Sequence, residues 1–240
     1  MANGYLAVYE RFPEFLKRRI NPMEYALRDF VRQAAQSHPG ETVLDAGAGE
    51  SRFRSFFGRH RYWAFDLAVG EQDWDYSRLD ACVDLSRLPL KSGSVGAVLN
   101  TQVLEHVPDP QAVISEFQRV LRPGGTLYLS APQGWHEHQQ PYDFFRFTQF
   151  SLRQMMERAG FQGVEIEPMG GYFHYLGQRF TYIPKILFQH RRGLPRVLLS
   201  PLELLSLGLF CFLVPVLCSY LDVLDRKKEF TLLYRCRASK

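Results

Sequence analysis

Cysteine is scarce in this sequence, and no two of the four cysteines form a Cys-x-x-Cys pair. Cys82, Cys211, Cys218 and Cys236 also lack the spacing of a zinc site, which favours a reduced compartment. The sequence has no strong excess of charge: 29 basic and 25 acidic residues give +4, too little to indicate nucleic acid as the main partner. Residues 1–19 lack the apolar core of a signal peptide, so we expect a cytoplasmic protein.

The composition is that of a folded domain. A chain of 240 residues that is 46% hydrophobic and 14% aromatic is not disordered, and its length fits one domain over residues 1–240. Within residues 1–40 we predict an N-terminal helical cap. Its main helix starts at Pro22, has apolar residues at steps of three and four, and ends near Gly40.

Residues 43–51 form the stretch around which the rest is organised. An apolar run ends in Asp45 and small residues follow, a pattern that predicts a strand, a tight turn containing Gly47 and Gly49, and a helix starting near Ser51. A dinucleotide-binding turn would have a third glycine where Arg52 stands, which argues against NAD. A carboxylate before the turn suits a ligand with an ammonium group, such as S-adenosylmethionine.

Residues 43–51 resemble motif I of the class I S-adenosylmethionine-dependent methyltransferases of the type 11 group. The sequence departs from that motif at Ser51, where many members have a third glycine; we expect the serine to cap the helix instead. The resemblance covers residues 22–168 and 229–237. It implies an α/β, Rossmann-like, doubly wound fold, whose mostly parallel seven-stranded sheet places an antiparallel last strand between the fifth and sixth.

Two further acids follow predicted strands. Asp66 ends a strand about twenty residues after the turn, where a carboxylate can accept hydrogen bonds from both ribose hydroxyls; the alternative is an ordinary turn aspartate. Asp84 follows a short third strand over residues 81–84, and the resemblance implies that it accepts from the adenine amino group. Trp74 and Tyr76 are the large side chains that could flank the adenine.

A fourth predicted strand, residues 95–100, leads into residues 100–107, which resemble motif IV of the same family. A helix over residues 110–121 and a fifth strand over residues 126–130 follow. Alternating strands and helices predict a parallel sheet whose carboxyl ends carry the whole cofactor site. The predicted cofactor-binding residues are Asp45, Gly47, Ala48, Gly49, Asp66, Leu67, Asp84, Leu85, Asn100, Thr101 and Gln102.

The loop after the fifth strand is the predicted acceptor side. His136, His138 and Tyr142 are the candidates for a general base that removes a proton from the acceptor. We expect no metal, because two histidines on one short loop have no evident third ligand elsewhere in the chain. Asp143 and Arg146 are expected to pair and hold the loop.

The common fold does not require residues 169–228, which lie before the last predicted strand at residues 229–237. Residues 197–221 form an apolar run whose only charged residue is Glu203. The run is long enough to span a bilayer. A single span is disfavoured, because strands of one sheet flank the segment and Pro201 and Pro215 interrupt it. Two alternatives remain open: residues 172–224 lie on anionic lipid between basic flanks, or they form a soluble lid or homodimer face.

The resemblance implies a methyltransferase that uses S-adenosylmethionine and acts on an oxygen or nitrogen of a small-molecule, glycan or lipid-linked acceptor. A glycan is considered because relatives often belong to cell-surface polysaccharide pathways. The alternative is a non-catalytic protein that binds an adenosyl ligand or docks on a membrane. The expected location is the cytoplasm, with peripheral binding to the inner face of the membrane as the second expectation.

Overall fold

A computed structural model describes residues 9–71, 73–188 and 195–240, with side chains described throughout except at 195–200. The basic residues Arg191, Arg192 and Arg196, predicted to flank the apolar run, therefore lie outside the described side chains. The chain divides into two compact units. The sheet unit comprises Arg28–Pro168 and Leu233–Lys240, and the helical unit comprises Met1–Leu27 and Met169–Leu232.

A seven-stranded sheet forms the centre of the sheet unit, in the order β3-β2-β1-β4-β5-β7-β6. Strands β1 to β5 pair in parallel, whereas β7 runs antiparallel to β5. The predicted Rossmann-like fold is confirmed, including the last strand between the fifth and sixth. The strands are β1 Thr42–Ala46, β2 Arg61–Asp66, β3 Ala81–Cys82, β4 Val95–Thr101, β5 Leu121–Pro132, β6 Gln162–Met169 and β7 Leu233–Ser239.

The helices begin where the sequence offers caps. Asp109 accepts a hydrogen bond from the Ala112 N–H (3.0 Å) before Pro110, and Thr148 forms a capping box with Ser151. The helices are α1 Glu14–Ile20, α2 Pro22–Ser37, α3 Pro110–Val120, α4 Gln149–Arg158, α5 Tyr172–Phe180, α6 Ile183–Phe188, α7 Pro195–Gly208 and α8 Val214–Leu221, with a π-helical segment Leu209–Leu213 and 3₁₀ turns Arg54–Phe57, Leu104–His106 and Asp222–Leu224.

The helix predicted near Ser51 is wrong. Gly47, Gly49 and Ser51 all have positive φ, so the backbone stays in a turn, and only the 3₁₀ turn Arg54–Phe57 follows. The Ser51 hydroxyl caps no helix and instead donates to the Arg78 carbonyl oxygen at 3.4 Å. The end of the sheet also differs, because β7 begins at Leu233 rather than at residue 229.

Among the described residues, the helical unit contains one helix, Pro201–Leu224, that is long and apolar enough to cross a membrane, with a mean hydropathy of 2.3 and 28% of its 18-residue window buried. Pro201 was predicted to interrupt this run but lies inside α7, whereas at Pro215 the regular α-helix does change, since α8 begins only after the π-helical segment. A proline lacks an N–H and crowds the carbonyl one turn earlier, and the π-helical segment Leu209–Leu213 lies where Pro215 would otherwise break the helix.

Division into two units follows the predicted insertion closely. The helical unit takes in residues 169–232, against a predicted insertion of 169–228, and also the first 27 residues of the chain. Helix α2 has residues in both units, and the cap over residues 1–40 stays a prediction. The single-domain assignment stays a prediction, because the compactness of each unit does not say whether either folds alone.

Candidate active site

A cavity of about 720 Å³ opens in the sheet unit, at the carboxyl ends of β1, β2 and β4. This is the edge at which open α/β sheets bind ligands. The predicted cofactor residues that line the cavity are Gly47, Ala48, Gly49, Asp66, Leu67, Asp84, Leu85, Thr101 and Gln102. The fold thus brings together most of the predicted set, and their roles toward the cofactor stay predictions.

The turn after β1 forms one wall of the cavity. The N–H groups of Gly47 and Ala48 donate to the Phe65 carbonyl oxygen, at 2.7 and 3.0 Å, which anchors the turn to β2. A Cβ atom at Gly47 would overlap the Val103 side chain, and one at Gly49 would lie 3.1 Å from the Trp74 ring. Both glycines are therefore required by close approach as well as by their positive φ.

Asp66 lies at the tip of β2, half-buried on the cavity wall. Its two carboxylate oxygens accept from the N–H groups of Gly49 (2.9 Å) and Ala68 (2.7 Å). These bonds hold the carboxylate in one orientation and leave each oxygen with a further lone pair. Asp84 is more exposed, and the backbone N–H and hydroxyl of Ser86 hold its pKa below the ordinary range.

Two of the predicted cofactor residues do not line the cavity. Asp45 is 1% exposed and accepts from the Tyr62 hydroxyl, and burial raises its pKa to about 7. Asn100 is fully buried and donates to the Ala46 carbonyl oxygen at 2.7 Å. Both side chains lie within the strands, where they support the ends of β1 and β4, and their roles toward the cofactor stay predictions.

The opposite wall of the cavity comes from the loops after β4 and β5. Trp135, His138 and Tyr142 line it, together with His106. His136, the first candidate for a general base, has an exposed side chain and does not line the cavity. The structure therefore redirects the catalytic prediction from His136 to its neighbours on the wall.

Arg146 holds the loop in shape. Its guanidinium donates to both carboxylate oxygens of Asp143, at 2.7 and 2.8 Å, and to the carbonyl oxygens of Trp135 and His136. The hydrogen bond from Arg146 lowers the pKa of Asp143 to about 2, so the pair stays ionised near neutral pH. The predicted structural role of this pair is confirmed.

Glu105 and His106, in the 3₁₀ turn that follows β4, are not among the site residues predicted from the sequence. Glu105 is 1% exposed, and burial raises its pKa to about 8. Burial lowers the pKa of His106, whose Nδ1 lies 2.5 Å from the Tyr142 carbonyl oxygen. The available signal was an adjacent acid and histidine directly after a strand end, inside a segment already recognised for its resemblance to motif IV.

These two residues also change the argument about metals. One ligand atom from each of Glu105, His106 and His138 lies within 4.8 Å of the others. The reason for excluding a metal was the lack of a further ligand near the loop histidines. That reason is wrong for His138, since the chain folds Glu105 and His106 against it.

The fold and the site define a class I methyltransferase architecture: a glycine turn after β1, an acid at the tip of β2, and a cavity across the parallel sheet. Residues 17–166 match the family model described as a methyltransferase domain. The chain belongs to this family. Its family and fold are those of the class I, type 11-like S-adenosylmethionine-dependent methyltransferases that the resemblance predicted.

Individual relatives agree with this assignment. The chain is 33% identical over 150 residues to a probable S-adenosylmethionine-dependent methyltransferase of Mycolicibacterium smegmatis, covering 58% of this chain and 57% of that protein. It is 23% identical over 190 residues to the ubiquinone biosynthesis O-methyltransferase of Idiomarina loihiensis, covering 64% and 76%. The match to the mycobacterial relative thus spans little more than half of that protein's length.

Solved structures share the fold. A methyltransferase from Archaeoglobus fulgidus superposes with a TM-score of 0.57 at 14% identity, covering 94% of this chain and 98% of that one. A Haemonchus contortus phosphoethanolamine N-methyltransferase in complex with S-adenosyl-L-methionine gives a TM-score of 0.52 at 15% identity, covering 90% and 52%. S-adenosyl-L-methionine is the ligand of that neighbour, and the likeness shows that this chain shares its fold.

Proposed function

We propose that the protein transfers the methyl group of S-adenosylmethionine to a hydroxyl oxygen of an acceptor bound beside His106 and His138. The observation that carries this proposal is the cavity itself, which has the predicted cofactor residues on one wall and titratable side chains on the other. In the reaction the acceptor oxygen bonds to the methyl carbon, the carbon–sulfur bond breaks, and the hydroxyl proton must leave.

Oxygen is favoured over nitrogen for two reasons. Relatives named as O-methyltransferases include the ubiquinone enzyme and malonyl-[acyl-carrier protein] O-methyltransferases of Serratia marcescens and Yersinia pestis. A hydroxyl also needs help to lose its proton near pH 7, which gives a polar cluster on the acceptor wall a function. Formation of S-adenosylhomocysteine with hydroxylated lipid or glycan extracts tests the proposal; methylation of amines alone would contradict it.

We propose further that the helical unit docks on an anionic membrane surface, which would suit a lipid-linked acceptor. Along the Pro201–Leu224 helix, exposed apolar residues recur at steps of three or four and share one face, each between 38% and 67% exposed. This apolar stripe consists of Leu202, Leu205, Leu209, Leu213, Leu217, Tyr220 and Leu224.

The distribution of charge supports an anionic occupant. Residues 169–232 contain eight basic and four acidic residues, whereas the rest of the chain contains 21 of each sign. The whole net charge of +4 therefore falls in the segment that carries the stripe. Lys185, Arg226 and Lys227 are exposed in the same unit. Apolar contact and attraction of basic residues to lipid headgroups act together at such surfaces.

Surface docking is favoured over a single span by the connectivity of the chain. The apolar stripe lies between β6 and β7, which are neighbours in the sheet. A helix that crossed the bilayer once between them would put two adjacent strands on opposite sides of the membrane. The segment therefore has to leave and return on one side.

Vesicle co-sedimentation tests the docking proposal. Vesicles rich in anionic lipid should retain the protein at low salt, neutral vesicles should retain less, and added salt should weaken the retention. A protein that stays monodisperse without detergent and does not sediment with anionic vesicles would contradict docking. A concentration-dependent dimer that ignores vesicles would instead assign the stripe to a homodimer face. Location in the cytoplasm stays a prediction.

A further inference from the structure

The loops after β4 and β5 bring three potential metal ligands to one side of the cavity. Glu105 and His106 lie in the 3₁₀ turn Leu104–His106, and His138 lies in the loop after β5. The two imidazole rings meet edge to face with centroids 4.6 Å apart, and one ligand atom from each of the three residues lies within 4.8 Å of the others. Small side-chain adjustments would bring all three to one ion.

The hydrogen-bond partners of both histidines favour the tautomer that leaves Nε2 free to bind a metal. The Nδ1 atom of His106 lies 2.5 Å from the Tyr142 carbonyl oxygen, and Nδ1 of His138 lies 3.1 Å from the His136 carbonyl oxygen and 3.4 Å from Asp143 Oδ2. Because carbonyl oxygens only accept hydrogen bonds, each Nδ1 carries the proton and each Nε2 keeps its lone pair. Metal-binding histidines are oriented by this kind of backbone or carboxylate partner.

Glu105 supplies the independent observation that points to a ligand. Its side chain is 1% exposed, and neither carboxylate oxygen has a hydrogen-bond partner among the described residues. The same holds for His106 Nε2, which lies 3.9 Å from Glu105 Oε1. Buried polar atoms without partners are costly, and a cation between them would satisfy all three at once.

We propose that Glu105, His106 and His138 bind one divalent transition cation of the zinc type. Two imidazoles and one carboxylate form a ligand set of catalytic zinc sites, which keep a further position open for water or substrate. The nitrogen ligands argue against Mg²⁺ and Ca²⁺, which prefer oxygen. His106 and His138 line the cavity, so the open position faces the space proposed for the acceptor.

The catalytic consequence of this site rests on the proposed function. A cation-bound acceptor hydroxyl has a lower pKa and releases its proton to water more readily. The resulting oxygen then bonds to the methyl carbon, while the carbon–sulfur bond breaks and its electron pair stays on sulfur. Binding of the cation itself requires neither cofactor nor acceptor and is tested without them.

The test is a zinc titration of the full chain. Protein without a polyhistidine tag is treated with EDTA, dialysed, and titrated with Zn²⁺ against a chromophoric chelator. We expect one equivalent to bind, and the affinity to fall about tenfold or more in His106→Ala and in His138→Ala. His136→Ala is the matched control, because it removes an exposed histidine from the same loop and should leave the affinity unchanged.

Co²⁺ provides a second readout, since its visible absorption reports the ligands and should change in each of the two wall variants but not in the control. Less than one equivalent of zinc in the parent, or equal affinity in all three variants, would overturn the site. Titration of the same EDTA-treated protein with S-adenosylmethionine distinguishes failure of the zinc site from failure of the proposed function. Cofactor binding without zinc binding would refute this inference alone, and the converse would refute the proposed function alone.

Discussion

The sheet unit and the helical unit use apolar side chains in opposite ways. In the sheet unit Leu44, Leu99 and Leu127 are fully buried, and the wall of the cavity combines apolar side chains with polar ones. In the helical unit a whole face of one helix presents leucines to the outside. Burial of many apolar side chains stabilises a fold. Exposure of a whole apolar helix face indicates a surface that a membrane or another molecule covers.

Buried acids differ between the units as well. Burial raises the pKa of Asp45 in the sheet unit, and the single bond from Tyr62 does not offset it. Burial acts in the same direction on Asp222 in the helical unit, but hydrogen bonds from His174 and Gly171 outweigh it, and the pKa of Asp222 lies below its ordinary value. Asp45 therefore keeps its proton to a higher pH than Asp222 does, because Asp222 has more hydrogen-bond donors around its carboxylate.

The largest effect expected is on turnover, from a change in the sheet unit. His138→Ala should lower turnover by about 10²–10⁴-fold, because it removes a group that assists loss of the acceptor proton, and should leave affinity for S-adenosylmethionine nearly unchanged. Release of S-adenosylhomocysteine with a responsive acceptor measures this. His136→Ala should cost far less, since that side chain lies off the cavity wall; the reverse ranking would restore the sequence-based choice of His136.

The next effect is on cofactor affinity. Asp66→Ala should weaken binding of S-adenosylmethionine by about 2–4 kcal/mol, roughly 30- to 1,000-fold, because it removes a charged acceptor for two hydroxyls and a partner of the Gly49 N–H. Titration calorimetry measures the loss, and circular dichroism checks that the variant folds. Asp84→Ala should lose less, because Asp84 is more exposed. Equal affinity in Asp66→Ala and the parent would make Asp66 a turn residue only.

A smaller effect concerns pH and stability in the sheet unit. The folded pKa of Asp45 is about 7 and its ordinary value is 3.8, so its stabilising contribution is complete below about pH 4 and is lost as the pH rises to 7. Between pH 5 and pH 8 the parent should lose about 2–3 kcal/mol of unfolding free energy that Asp45→Asn keeps. Denaturant unfolding at both pH values measures the difference.

Asp222→Asn serves as the comparison from the other unit. Because the pKa of Asp222 lies below its ordinary value, its contribution is complete above that value and is lost only as the pH falls further. Asp222 should therefore contribute nothing to the pH dependence of the unfolding free energy between pH 5 and pH 8. If Asp45→Asn kept the pH dependence of the parent, Asp45 would be ionised in the folded protein throughout that range.

Local patterns predicted much of the fold and one wall of the site. Alternating strands and helices predicted the parallel sheet, the family resemblance implied the place of the last strand, and the turn at Gly47 and Gly49 followed from residue types that allow close approach. Spacing along the chain does not say which way a side chain points. It therefore placed Asp45 and Asn100 on the ligand side, although the pleat of β1 and β4 turns them inward.

The second wall was harder to predict, because it depends on two loops that meet only in the fold. Glu105 and His138 are 33 residues apart, and no local pattern predicts that their ligand atoms lie within 4.8 Å of each other. In the helical unit the apolar run was evident from composition, but the continuity of the helix past Pro215 depends on the π-helical segment before it. Proline statistics favour a break there.

The last and smallest effect would sharpen the contrast between the units at the apolar stripe. Replacing Leu205, Leu209 and Leu213 with Ser removes exposed apolar surface, so retention on anionic vesicles should fall about tenfold or more under every salt condition, while cofactor affinity stays that of the parent.

Reversing Arg226 and Lys227 to Glu is the matched change in charge. Each basic residue contributes about 1 kcal/mol at an anionic surface, so this variant should lose only the salt-sensitive part of binding. Unchanged vesicle binding in the serine variant, with a shift from dimer to monomer, would show that the leucines cover a second copy of the chain instead.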